Sequence, residues 1–198
     1  MINFKKLSKQ APYVIFNDKY ILARSAKQKN IEAACISSYS SISKEVTARY
    51  VNIKFINNKD LIFFSNYSSQ KAKDFLTHDQ ITCLFFWNKI NLQIRIKAKI
   101  KKTSKKFNQK YFSNRDPKKN ALAIASRQSD SIESYNKLKE SYYESLNSVD
   151  LTTCPDYWGG YSLTPYYFEF WEGHQSRLNI RETFDLQDGQ WIRNFLQA

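Results

Sequence analysis

Glycine and histidine are scarce here: 198 residues contain four glycines and two histidines, with four prolines, three cysteines and one methionine. Two of the four glycines, Gly159 and Gly160, are adjacent near the C-terminus, so neither a P-loop nor a glycine-rich dinucleotide turn can be assembled. ATPase, GTPase and Rossmann readings are excluded on that ground. His78 and His174 are far apart, and Cys35, Cys83 and Cys154 form no C-x-x-C pair, so no ligand set for a structural metal is expected. An odd number of cysteines at unrelated spacings suits a reducing compartment. No apolar run approaches the ~20 residues of a membrane-spanning helix, and the first residues lack the apolar stretch of a signal peptide. The expectation is a cytoplasmic protein without membrane contact.

What the chain does have is core-forming material. Hydrophobic residues make up 42% and aromatics 16% of it, too much for a disordered chain. The length suits one domain, read as residues 31–198 preceded by an N-terminal arm, 1–30, with one helix. Lys and Arg exceed Asp and Glu by 31 to 18, a net charge of +13. A basic surface attracts phosphate, but the lysines are spread along the chain rather than gathered in one block, so the charge alone does not argue for nucleic acid.

Hydrophobic periodicity predicts strands over Ala33–Ser38, Val46–Ile56, Leu61–Ser65 and Ile81–Trp87. The segment Gln93–Lys101 alternates strictly, with Ile94, Ile96, Ala98 and Ile100 on one face and charged or amide residues on the other, the pattern of a strand wet on one side. Helices are predicted over Ser69–His78, Lys105–Asn114, Ala121–Arg127 and Ile132–Leu146. Strand signals return at Tyr161–Leu163, Tyr167–Glu172, Thr183–Leu186 and Trp191–Phe195. Strands, a helical insertion and strands again, without βαβ alternation, indicate an α+β, mainly β fold: an antiparallel barrel decorated by helices.

Polar groups inside apolar strands are the informative positions, because a charge buried without a partner costs several kcal/mol. Arg49 and Lys54 stand in such a strand, although composition alone leaves them on a solvated face. If the segment Gln175–Arg181 is extended, Arg177, Asn179 and Arg181 project to one side, an arrangement suited to an anionic ligand. No Ser-His-Asp or Cys-His pattern suggests a covalent nucleophile.

The order of these pieces carries more than any one of them. Arg49-x-Val51-x-Ile53-Lys54 is followed by Phe63-Phe64-Ser65-Asn66-x-x-Ser69-x-Lys71, Phe86-Trp87 and Gln93-Ile94. Then come Tyr111-Phe112-x-x-Arg115, Ser126-Arg127-Gln128-Ser129, Trp158-Gly159-Gly160-Tyr161, Glu169-Phe170-Trp171-x-Gly173 and Arg177-Leu178-x-x-Arg181. From residue 31 to the C-terminus the chain resembles the pyridoxamine 5′-phosphate oxidase family.

The resemblance implies an FMN-binding split β-barrel, a homodimer with FMN at its interface, and oxidation of pyridoxine or pyridoxamine 5′-phosphate by molecular oxygen to pyridoxal 5′-phosphate and hydrogen peroxide. By motif position it implies flavin contacts at Arg49, Tyr50, Val51, Asn52, Ile53 and Lys54, at Phe64, Ser65, Gln70 and Lys71, and at Gln93, Gln128, Ser129, Trp171 and Arg181. It implies a substrate-phosphate site of Lys54, Tyr111, Arg115 and Lys119, and a cover over the pyridine ring from Arg177 and Asn179, the positions nearest the chemistry. Guanidinium, ammonium and hydroxyl groups suit a phosphate, and amides suit the flavin edge. Four of the eight arginines (Arg49, Arg115, Arg177 and Arg181) fall at such positions.

The chain departs from the family pattern at several places: Gln70 replaces an arginine, Lys119 a serine, and Asn179 a histidine, exchanging a titratable imidazole for an amide. The C-terminal Phe195-Leu196-Gln197-Ala198 replaces Arg-Leu-Ala-Pro. Alternative readings are a related flavin oxidase acting on another small molecule, as in phenazine biosynthesis, and a non-catalytic protein binding flavin, pyridoxal phosphate or nucleic acid. Retention of Lys54 favours a phosphorylated substrate.

Overall fold

The computed structural model describes residues 1–198, the side chain of Ser148 excepted. Ten strands form one curled sheet: β1 (Asn3–Lys5), β2 (Ala33–Tyr39), β3 (Val46–Asn52), β4 (Phe55–Asn57), β5 (Asp60–Asn66), β6 (Gln80–Trp87), β7 (Leu92–Lys102), β8 (Trp158–Glu172), β9 (Ile180–Gln187) and β10 (Gln190–Phe195). Their order is β1-β4-β5-β8-β7-β6-β2-β3, with β9 and β10 branching from β8. All pairs are antiparallel except β1 with β4, which run parallel. Five helices decorate the sheet: α1 (Ala11–Ser25), α2 (Gln70–Thr77), α3 (Lys105–Ser113), α4 (Pro117–Ala125) and α5 (Tyr135–Ser148). None of the described helices is long and apolar enough to cross a membrane.

The alternation in β7 sets the inside of the sheet. Ile94, Ile96 and Ala98 are fully buried and Ile100 nearly so, and their cross-strand neighbours Cys83 and Ile36 continue the same inner face. The two strand signals expected at 161–163 and 167–172 are one strand, β8. Pro165, which reads as a break because it has no N–H, sits where the outer edge of β8 changes partner from β5 to β9 and where its register with β7 shifts. A missing donor costs little there. In contrast, the strand expected over 46–56 is broken at Ile53 and Lys54, whose N–H groups leave the β2 ladder to donate to Glu32 and Ile62 carbonyls.

The first thirty residues, expected as an arm, hold a helix that packs into the core. Tyr13, Phe16, Tyr20 and Ala23 are buried, and Phe16 meets the rings of Phe85 and Trp87 edge-on at 5.4 and 5.5 Å. Fully burying one such ring is worth roughly 1.5–3 kcal/mol, which holds α1 against the barrel.

Capping explains where the insertion helices begin. Ser104 accepts from Phe107 N–H at the start of α3, and Asp116 from Lys118 N–H at the start of α4. With Pro117 in the first turn, this starts α4 four residues before the expected Ala121. Ser134 caps α5 in the same way, three residues into its expected range.

Candidate anion and flavin site

Three groups of side chains gather the polar residues singled out above. The first lies outside β5 and β8, under α3 and α4. Phe64 on β5 faces Gly160 on β8, and a Cβ at Gly160 would lie 2.5 Å from Thr103 Oγ1 and 3.2 Å from the Phe64 ring. The bare glycine therefore lets α3 close onto the sheet, and Tyr111 stacks on Phe64 with centroids 3.7 Å apart.

One turn after Tyr111, Arg115 donates through Nη1 to the Lys119 carbonyl at 2.8 Å and to Asn120 Oδ1 at 3.0 Å. Its guanidinium lies 5.1 Å over the Trp158 ring. Arg115, Lys119, Asn66, Ser126, Gln128 and Trp158 line a cleft of about 170 Å³, and Ser65 Oγ donates to Gln128 Oε1 at 3.2 Å.

Lys54, at the β3–β4 break, stands outside that lining but within electrostatic reach of Arg115 and Lys119. Burial depresses its ammonium pKa; Glu32 opposes that depression, and Lys119 and Arg115 add to it. Burial likewise lowers the Arg115 pKa and raises that of the Tyr111 phenol. Two cations lining one cleft, with a third in electrostatic reach, make a ready site for an anion with at least two charges.

The second group lies where α2 packs on β2 and β3. Arg49 shares the inner face with Ile36 and donates to the Ile36 carbonyl, to Ser38 Oγ and to Thr47 Oγ1. Asp74, only 2% exposed, stands 3.6 Å from its Nη2 and accepts from Ser38, Thr47 and Gln70. Gln70, at the position where the family has an arginine, is thus turned to Asp74.

Lys71 is 7% exposed, and its Nζ donates to Ser69 Oγ at 3.0 Å. Burial, then the Arg49 charge, against a smaller pull from Asp74, push it down to about 8. A buried ammonium bonded to a neutral hydroxyl beside a guanidinium is an incomplete set that a phosphate dianion would complete, so the donor chemistry fits the phosphate of FMN.

This group carries a stability signature. Lys71 releases its proton at about 8 in the folded chain, against an ordinary 10.5. Above pH 8 the unfolded state therefore binds more protons, and the Lys71 contribution to stability rises with pH through that window. Urea midpoints of the ligand-free protein at pH 7.5, 9 and 10 are expected to rise relative to those of Lys71→Met, and parallel curves for the two proteins would refute the assignment.

The third group stands on the outer face. Gln93, Trp171 and Arg181 are direct neighbours across β7, β8 and β9. Arg181 donates from Nε and Nη2 to Glu169 Oε1 at 3.0 and 2.9 Å, and from Nη1 to the Gln197 carbonyl. Arg95 and Tyr167 engage the other carboxylate oxygen. Burial raises the Glu169 pKa, but the hydrogen bonds from Arg181, Arg95 and Tyr167 outweigh it and hold the carboxyl below its usual range. Because Ile94 belongs to the core, Gln93 points away from it, and this row lies on the opposite face of the sheet from Arg49.

Other expected positions fall as follows. On β3, Val51 shares the Arg49 side, while Tyr50 and Asn52 point outward and Tyr50 is exposed. Ile53 is fully buried in the core, so its side chain reaches no ligand. Gln128 and Ser129 lie in the exposed turn after α4, Ser129 with φ +78°.

The extended run expected over 175–181 is corrected. Residues 173–179 form a closed loop in which Asn179 Oδ1 accepts from His174 N–H at 3.0 Å and Arg177 takes φ +59°. Arg177 is exposed, and it does not align with Asn179 and Arg181 on one strand face. Sequence reasoning also passed over Glu32, Asp74 and Glu169 as partners. Asp74, a carboxylate on the buried side of a short helix, and Glu169, flanked by apolar residues, were the available signals.

Residues 158–198 match the family model described as the pyridoxine 5′-phosphate oxidase C-terminal dimerisation region. The chain is 36% identical over 153 residues to the pyridoxine/pyridoxamine 5′-phosphate oxidase of Herminiimonas arsenicoxydans, covering 76% of this chain and 72% of that one. It is 33% identical over 171 residues to pyridoxine/pyridoxamine 5′-phosphate oxidase 1 of Hydrogenovibrio crunogenus, covering 86% and 79%.

Among solved structures, the fold matches PhzG from Burkholderia lata 383, in complex with tetrahydrophenazine-1-carboxylic acid, with a TM-score of 0.90, 23% identity and coverage of 96% and 93%. A pyridoxamine 5′-phosphate oxidase-related, FMN binding protein from Nostoc punctiforme matches with a TM-score of 0.78, 11% identity and coverage of 96% and 100%.

Proposed function

The chain belongs to the pyridoxine/pyridoxamine 5′-phosphate oxidase family, and from that premise we propose that it oxidises pyridoxine 5′-phosphate or pyridoxamine 5′-phosphate to pyridoxal 5′-phosphate, reducing O2 to hydrogen peroxide. What supports this reading is the electrostatic coupling of Lys54 to Arg115 and Lys119, the latter two lining one cleft, since three cations suit a phosphate dianion. FMN, when bound, supplies the two-electron chemistry at the substrate's 4′ carbon and with O2.

The protein's part is positioning and charge neutralisation. Arg49 and Lys71 hold the flavin phosphate, while Ser65 and Gln128, bonded to each other beside the Arg115 cleft, and Ser129 next to them supply further hydrogen-bonding groups to the flavin. Lys54, Tyr111, Arg115 and Lys119 hold the substrate phosphate. Arg177 and Asn179 cover the pyridine ring, and because Asn179 does not titrate near neutrality, it adds no ionisation to the pH profile.

Gln93, Trp171 and Arg181 lie across the sheet from Arg49, so one flavin touches both groups only when a second copy of the chain contributes one of them. The working unit is therefore a homodimer. Phe86, beside Gln93, together with Leu178 and Phe195, exposes apolar surface that a second copy would cover.

A related flavin oxidase acting on a phenazine-type substrate is the competing reading, favoured by the close match in fold to PhzG. Anaerobic mixing of the FMN-loaded protein with pyridoxine 5′-phosphate decides between them. Bleaching of the flavin's visible absorbance that reverses when oxygen is admitted is the expected result. A flavin that stays bound and oxidised would sink the vitamin B6 reading.

A further inference from the structure

Glu32 stands just before β2, and its main-chain carbonyl accepts the Ile53 N–H at 2.9 Å, which brings its side chain beside Lys54. Glu32 Oε1 accepts from the Met1 ammonium at 3.0 Å and lies 4.0 Å from Lys54 Nζ. The charges of Lys119 and Arg115 act on the same ammonium and repel it. Attraction to Glu32 and repulsion from those two cations together favour the Lys54–Glu32 pair.

We propose that Glu32 is a positioning residue that holds Lys54 in the ligand-free protein and yields it to the phosphate of an incoming substrate. The inference rests on the phosphate-site reading above. A dianion between Lys54, Arg115 and Lys119 reverses the balance of forces on the ammonium. The exchange also weakens the grip on phosphate, since each binding event gives up one ion pair and sets a dianion near a carboxylate. A site that must release a phosphorylated product gains turnover from such a counterweight.

Binding of 4-deoxypyridoxine 5′-phosphate, which lacks the oxidisable hydroxyl, and of inorganic phosphate can be measured by calorimetry on the FMN-loaded protein at pH 7. Glu32→Gln is expected to tighten both about threefold to fivefold, the size of a partly exposed ion pair. It should leave unphosphorylated 4-deoxypyridoxine unchanged, and in turnover it should lower KM without raising kcat. Lys54→Met should weaken phosphate binding, and Glu32→Gln should add nothing on that background.

If Lys54→Met weakens binding and Glu32→Gln does not tighten it, the exchange is refuted while the phosphate site stands. Tightening that persists in the double variant would show that Glu32 acts by direct repulsion and would also refute it. No effect from Lys54→Met would remove the phosphate-site reading itself. Should Glu32→Gln fail to fold, Glu32→Asp, which draws the carboxylate back from Lys54, is expected to change affinity in the same direction by a smaller factor, and the opposite direction refutes the proposal.

Discussion

Arg115→Ala is expected to raise the KM for pyridoxine 5′-phosphate by roughly 10- to 100-fold, as expected for losing a charge-assisted hydrogen bond of about 1.5–3 kcal/mol. The FMN dissociation constant should stay within about twofold, because Arg49 and Lys71 occupy a different group. Arg115 is held ready for an anion: its Nη1 is committed to Lys119 and Asn120, and among the described residues no hydrogen-bond acceptor engages its Nε or Nη2. The guanidinium therefore meets a phosphate without rearranging, and alanine removes both the charge and the fixed geometry. Lys106→Ala, on the exposed side of α3, is the control that separates this effect from general loss of positive charge and should leave KM unchanged. Steady-state KM together with flavin fluorescence quenching checks both halves. An unchanged KM in Arg115→Ala would place the substrate phosphate elsewhere.

The second large effect concerns the division of the flavin site between two copies of the chain. Lys71→Met and Arg181→Gln are each expected to weaken FMN binding by about 10- to 100-fold, each losing one charged contact. Both variants should fold: methionine ends the burial of a charge at position 71, and Glu169 keeps Arg95 and Tyr167 when Arg181 is replaced.

Co-expression of the two variants at equal levels gives mixed dimers in which one site carries both changes and the other carries neither. About a quarter of all sites should then regain wild-type affinity. No such recovery is possible if Lys71 and Arg181 serve one site from the same chain. Titrating FMN into the mixture, with the separate variants as references, reads the recovered fraction directly. A mixture that binds no better than its parents overturns the shared-site arrangement.

Parts of this architecture are legible without coordinates. Strand β7 declares itself through Ile94, Ile96, Ala98 and Ile100, and α3 starts at the expected Lys105, whereas α4 and α5 start at caps Asp116 and Ser134 instead of the expected Ala121 and Ile132. Tyr13, Phe16, Tyr20 and Ala23 already repeat at helical spacing, yet the short apolar clusters around them read as an arm because their burial depends on Phe85 and Trp87, seventy residues away. The two strand signals at 161–163 and 167–172 are one strand through Pro165, whose missing N–H is harmless only because β8 changes partner there. The extended reading of 175–181 fails because the Asn179 side chain closes the loop onto His174, a hydrogen bond that strand periodicity does not encode.

The candidate site divides in the same manner. Arg49, Lys54, Lys71, Arg115 and Arg181 are recognisable in order along the chain, and their family resemblance names a phosphate and a flavin. The sequence by itself determined the sidedness of β7, most of the strand and helix segments and the stock of cations, since each depends on residues a few positions apart. Which cations meet was decided by tertiary structure alone. Gly160 lets α3 settle on β5 and β8, which brings Arg115 and Lys119 to Lys54, while the core face of the sheet separates Arg49 from Trp171 and Arg181. Such convergence follows from packing between distant segments, and local spacing carries no record of it.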